Sequence, residues 1–64
     1  PLLRNPDSEV RGYAVILLGR LKAFEAREDL TKLREDMAPI DIYRAGQIEK
    51  TTIHELATES LAKL

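Results

Sequence analysis

The chain has 64 residues, no cysteine and a net charge of −1 from 10 basic and 11 acidic side chains. That excludes disulfides and thiolate metal sites, and it lacks the basic excess of a typical nucleic-acid binder. Such a chain makes one small domain that buries only about 60% of its unfolded surface, and 44% hydrophobic with 33% charged residues fits a folded helical domain rather than disorder.

Residues 1–7 read as a lead-in. They lack the regions of a signal peptide, and no apolar run nears the roughly 18 residues of a membrane span. The expectation is therefore cytoplasmic residence without a membrane partner. The start at Pro1 instead of Met fits either removal of an initiator or a segment of something longer.

Glu9 to Leu21 is the organising stretch. Wound at about 100° per residue, it gathers Val10, Ala14, Leu17 and Leu21 into one stripe flanked by Tyr13 and Leu18. Val15 and Ile16 carry the apolar surface nearly to the other side. A helix apolar nearly all round is packed from several directions, so 8–22 is predicted as a hub helix. Self-association through Val15 and Ile16 is the alternative use of that surface. Asp7 is the predicted N-cap, with Asn5 before Pro6 competing. Gly12 and Gly19 cost about 1 kcal/mol each inside a helix, and close approach of another helix is the compensation expected.

A second helix is predicted over 25–36, with Ala26, Leu30, Leu33 and Met37 as its core stripe. The short connector at 22–25 predicts an antiparallel helix pair, with Phe24 plugging its end. Pro39 blocks continuation of that helix. Ile40, Ile42, Tyr43, Ile48, Thr51 and Thr52 are strand formers around Gly46. They predict a small ribbon of 40–44 with 47–51, leaning on the helices through Ile40, Ile42 and Ile48; an irregular loop over 40–51 is the alternative. A third helix, 53–64, starts at a capping box of Thr52 and Glu55. Its stripe is Ile53, Leu56, Ala57, Leu61 and Leu64.

Residues 52–64 echo 9–21 at an offset of 43: Ala57 falls on Ala14, Leu61 on Leu18, Leu64 on Leu21. Helix–turn–helix units recurring at about 40–47 residues mark HEAT-type solenoids. Asp7, Glu9, Val10, Arg11, Ala14, Leu18 and Gly19, followed by Leu30, Leu33 and Asp36, resemble the bacterial HEAT-like repeats first grouped with phycobilin lyase subunits. The resemblance covers 7–36 well and 52–64 moderately, while Pro39 to Thr51 departs from the plain repeat. It implies a mainly α fold, a fragment of an α-α superhelix of about one and a half repeats, with three helices and a small β-hairpin before the last. It also implies a non-catalytic protein–protein contact module, a scaffold or adaptor. A phycobilin lyase-like fragment and a weak nucleic-acid backbone binder are the alternatives. The first lacks aromatic and His residues to line a tetrapyrrole pocket, and the second lacks positive charge.

Few residues suggest chemistry. Arg11 reads as a structural pair with Asp36 or Asp41. His54, the one histidine, has no acid three or four positions away, so neither a metal site nor a base with its orienting carboxylate assembles around it. No phosphate loop or nucleophile elbow is present. No catalytic, cofactor or metal residues are therefore assigned. The predicted contact residues are Arg27, Thr31 and Arg34 along one flank of the second helix, facing an acidic patch on another protein, and Tyr43 and Arg44 at the ribbon tip. The flank is chosen because second helices line the concave surface in HEAT-like proteins, an argument by analogy. Tyr43 and Arg44 are chosen because those residue types are enriched at binding hot spots.

Overall fold

The computed structural model describes residues 2–64; Pro1 of the lead-in lies outside the described residues. Leu2–Arg4 form a 3-10 turn and lead to helix α1 (Ser8–Arg20). A second 3-10 turn, Phe24–Ala26, opens helix α2 (Arg27–Leu33). Strands β1 (Pro39–Arg44) and β2 (Gln47–Thr52) follow, and helix α3 (Ile53–Ala62) comes last. The fold is thus three helices with a two-stranded ribbon before the third.

Both cap candidates of α1 are used in series. The Asp7 carboxylate accepts from the Glu9 N–H at 2.9 Å, and the Asn5 side-chain oxygen accepts from the Asp7 N–H at 2.9 Å. At the other end Lys22 takes a left-handed φ of 52°. Its N–H then donates to Gly19 O and the Ala23 N–H to Leu18 O, the paired closure that usually falls to glycine.

α2 is shorter than 25–36. After Leu33 the amides of Arg34, Glu35 and Asp36 turn to the carbonyls of Thr31, Lys32 and Leu33, which tightens the last turn and ends the helix before Pro39. Leu30 is fully buried, but Met37 falls beyond the helix and is exposed.

The ribbon pairs Pro39 with Thr52 through Arg44 with Gln47. Ala45 and Gly46 both have positive φ, 51° and 79°, as a type I′ turn requires. Side chains alternate across a strand, so burial of Ile40 and Ile42 sends Tyr43 outward. Ile48 lies opposite Tyr43 and shares its face. It is therefore 70% exposed and does not lean on the helices as expected.

α3 packs along α1 in the same direction: Gly12 lies against Ile53 and Leu56, and Gly19 against Ser60. The Ser60 hydroxyl donates to Val15 O at 2.7 Å. α2 runs the opposite way. The Arg34 carbonyl meets His54 at the start of α3, and Arg27 reaches the Leu64 carbonyl at its end. α2 is therefore reversed relative to α1, but α3 lies between them and makes the main contacts with both. The two do not form the tight pair expected from their short connector, and Phe24 is exposed instead of plugging it. The core is Val15, Leu30, Ile40, Ile42, Ile53, Leu56 and Ala57.

The hub helix is turned relative to the expectation. Gly12, Val15 and Gly19 face the core and Ala14 of the expected stripe is also buried, while Leu17 and Leu21 are 52% and 67% exposed. Leucines on the inward side would hold α3 away, and the glycine side lets it approach. Val15 is fully buried and Ile16 packs against the core. Val15 is thus consumed by the fold and Ile16 is partly covered, so the two do not form the self-association surface suggested from sequence.

A Cβ on Gly19 would lie 2.8 Å from Ser60 Cβ and 3.0 Å from Ser60 Cα. Gly19→Ala should therefore destabilise by about 1–3 kcal/mol, the usual cost of overpacking, despite its better helix propensity. Lys22→Gly should do the reverse, by about 0.5–1 kcal/mol, because it relieves a left-handed residue. Urea denaturation midpoints of the two variants should move in opposite directions; a shift in the same direction would contradict this packing.

Candidate functional site

The predicted contact residues separate into three environments. Arg27, Thr31 and Arg34 lie exposed along one flank of α2. Thr31 spends its hydroxyl on the Arg27 carbonyl at 2.8 Å, and the Arg27 guanidinium reaches Leu64 O at 3.3 Å. Arg34 contributes its carbonyl to His54, whose Nδ1 lies 2.6 Å away, so that nitrogen carries the hydrogen. The Arg34 guanidinium enters no ion pair among the described residues.

Tyr43 and Arg44 are neighbours in β1 and so point to opposite faces. Tyr43 is 65% exposed beside Ile48, and its backbone N–H donates to the Tyr13 hydroxyl at 3.1 Å. Arg44 bends to Glu59 of α3 at 3.0 Å. Both ends of that ion pair are partly exposed, so it contributes less than about 1 kcal/mol. Arg44 therefore pins the ribbon tip to α3, while Tyr43 stands free beside Ile48.

Sequence reasoning missed an uncovered apolar surface on α1. Val10, Tyr13, Ala14 and Leu17 line an open groove of about 450 Å³, closed on one side by Leu2 and bounded at its amino end by Asp7 and Glu9. Leu21 and Phe24, which follow α1 in the chain, are exposed as well. The signal was present in the glycines. Gly12 and Gly19, seven apart with Val15 between them, mark the side of closest packing, so the leucine stripe had to face away. A second groove, of about 470 Å³, runs between the Leu2–Arg4 turn, Leu18 of α1 and Leu33 of α2. Arg4, Asp29 and Lys32 also line this second groove.

Arg11 proves structural. Its Nε lies 3.1 Å from the Asp36 carboxylate, and its Nη1 donates to the Asn5 and Pro6 carbonyls at 2.7 and 3.1 Å. Of the two acids named for it, Asp36 is the partner. His54 is held at the end of α2, and the Ser60 hydroxyl is held by Val15. Among the described residues no group of three or more His, Cys, Asp or Glu side chains could hold a metal ion. No helix among them is long and apolar enough to cross a membrane. Compared with known proteins, the chain matches no family model, no curated protein and no solved structure.

Tyr13 links the uncovered helix face to the ribbon edge. Tyr13→Phe should remove the acceptor for the Tyr43 N–H, cost about 0.5–1.5 kcal/mol, and speed amide exchange at Tyr43. Hydrogen–deuterium exchange on the two proteins checks this; an unchanged Tyr43 rate would mean that Tyr13 does not hold the ribbon.

Proposed function

We propose that the chain is a non-catalytic protein–protein contact module of HEAT-like repeat type, a scaffold or adaptor. The observation that carries the reading is the exposed face of α1. Three large apolar side chains, Tyr13, Leu17 and Leu21, stay at least 45% exposed on and just after one 13-residue helix. Leu2 and Phe24 are exposed nearby. Contiguous apolar surface of this kind on a small domain marks an interaction site.

The helix directions support the repeat assignment. α1 and α3 run the same way on a shared apolar layer with α2 reversed, the order of directions in one and a half helix–turn–helix units, although α2 packs on α3 instead of on α1. Units of this type cannot bury their apolar faces alone and stack on a neighbour to do so. Arg27, Thr31 and Arg34 on the α2 side, and Tyr43 with Arg44 on the ribbon, then provide separate polar contacts, of which the α2 arginines suit an acidic partner surface.

Photo-crosslinking residues placed at Leu17 and Leu21, with controls at Glu28 and Glu49, test the assignment in extract from cells that make the protein. Protein adducts should form at the first pair and not at the second. Replacing Arg27, Thr31 and Arg34 together by Ala should lower the adduct yield without lowering the melting temperature. Absence of any protein adduct at Leu17 and Leu21 would remove the proposal.

A further inference from the structure

The charges beside the exposed face of α1 say what covers it. Wound at about 100° per residue, Glu9 and Arg20 fall on the same flank of the stripe, the flank that also carries Tyr13. Both are exposed. Glu9 lies in the first turn and Arg20 in the last. The stripe thus has an acid at one end and a base at the other, on one side.

That pattern is complementary to itself when reversed. A two-fold axis crossing the helix near Ala14 turns a second α1 antiparallel to the first and keeps each flank facing its own copy. Glu9 of each copy then meets Arg20 of the other, giving two equivalent ion pairs. Leu17 of each copy lies over Val10 and Ala14 of the other. Ala14, nearest the axis, is already buried in the monomer, so the exposed Tyr13 and Leu17 side chains make the contact. Such an interface is isologous, closes at two subunits and leaves no free copy of the patch. A parallel two-fold arrangement would instead carry this flank to opposite sides of the pair, so that neither ion pair could form.

The geometry points to a second copy of this chain as the occupant of the α1 face, docked as an antiparallel α1–α1 dimer with Glu9–Arg20 pairs at both ends. This rests on the contact-module reading and names its partner.

Sedimentation equilibrium of the purified chain, from micromolar to near-millimolar concentration, should show monomer passing to dimer. Glu9→Arg and Arg20→Glu, made singly, each turn both ion pairs into like-charge pairs and should weaken the dimer by about tenfold or more. The double variant restores opposite charges and should recover most of that loss. Leu17→Ser, at an exposed position, should weaken the dimer without touching the ion pairs, and circular dichroism checks that each variant stays helical. Wild type remaining monomeric throughout would overturn the dimer, as would single charge variants that dimerise like wild type or a double variant that does not recover. A monomeric chain that still gives protein adducts at Leu17 would keep the contact module and assign the α1 face to a different protein.

Discussion

The close approach of α1 and α3 is the constraint on which the rest depends. It requires an α1 surface without side chains at two positions one heptad apart, and Gly12 and Gly19 supply it. Between them Val15 fills the remaining space, and its carbonyl receives the Ser60 hydroxyl at 2.7 Å. Once that side is committed, the rotation of α1 is fixed. Its leucines cannot also face the core, because the stripe of Val10, Ala14, Leu17 and Leu21 lies well round the helix from the glycines. The same packing that stabilises the monomer therefore creates the apolar surface it leaves open. Two glycines inside a 13-residue helix would cost about 2 kcal/mol of helix propensity if nothing approached them. Burial of Leu56, Ile53 and Ile40 against the flat side offsets that cost.

A second node holds the irregular segments. Asp36, just past α2, accepts from Arg11 of α1 through one carboxylate oxygen and from the Ala38 N–H through the other. Its carbonyl accepts from the His54 N–H, and the Ala38 carbonyl accepts from the Ile53 N–H. The first amides of α3 are thus satisfied by the chain leaving α2, and the Glu55 amide is satisfied by Thr52. The Glu55 carboxylate, expected to reach back to Thr52, takes the Thr51 hydroxyl instead at 2.7 Å. The Arg11–Asp36 pair is mostly shielded from water, with side chains 16% and 24% exposed. Hydrogen bonds between charged groups are worth more there than at the surface. Arg11 thereby ties the lead-in, α1 and the start of the ribbon to one point.

Much of this was legible in the chain. Asp7 and Thr52 announced the starts of α1 and α3, and Gly46 with its flanking β-branched residues announced the ribbon. Ile40, Ile42, Ile53, Leu56 and Ala57 were readable as core, because period-two and period-3.6 patterns each leave a single sensible inner face. The failures have a common cause. α1 carries apolar residues nearly all round, so periodicity could not select its inner face, and the densest stripe was taken in place of the glycine side. Met37, Phe24 and Ile48 were assigned to the core because they are apolar, although position decides their fate. Met37 lies after the helix has ended, Phe24 sits in a connector that α3 does not cover, and Ile48 is bound by register to Tyr43. The contact surface was missed for the reason that α1 was misturned: of the residues placed inside, Ala14 is buried, but Tyr13, Leu17 and Leu21 are left outside.

The ribbon bears on how copies of the chain meet. A two-stranded sheet has two free edges. That of β1 donates the Tyr43 N–H to Tyr13, whereas β2 pairs only with β1. An unpaired edge is a template for another strand. Antiparallel pairing of two β2 strands about a two-fold axis must set some residue directly opposite its own copy. Near the middle of Gln47–Thr52 that residue is Glu49 or Lys50, and like charges directly opposite destabilise a strand pair. The edge therefore discourages self-pairing, while α1, with opposite charges at its two ends, favours an antiparallel copy. Charge placement on the two exposed elements thus separates them: it blocks the ribbon from joining copies of the chain and leaves the helix face as the self-complementary surface.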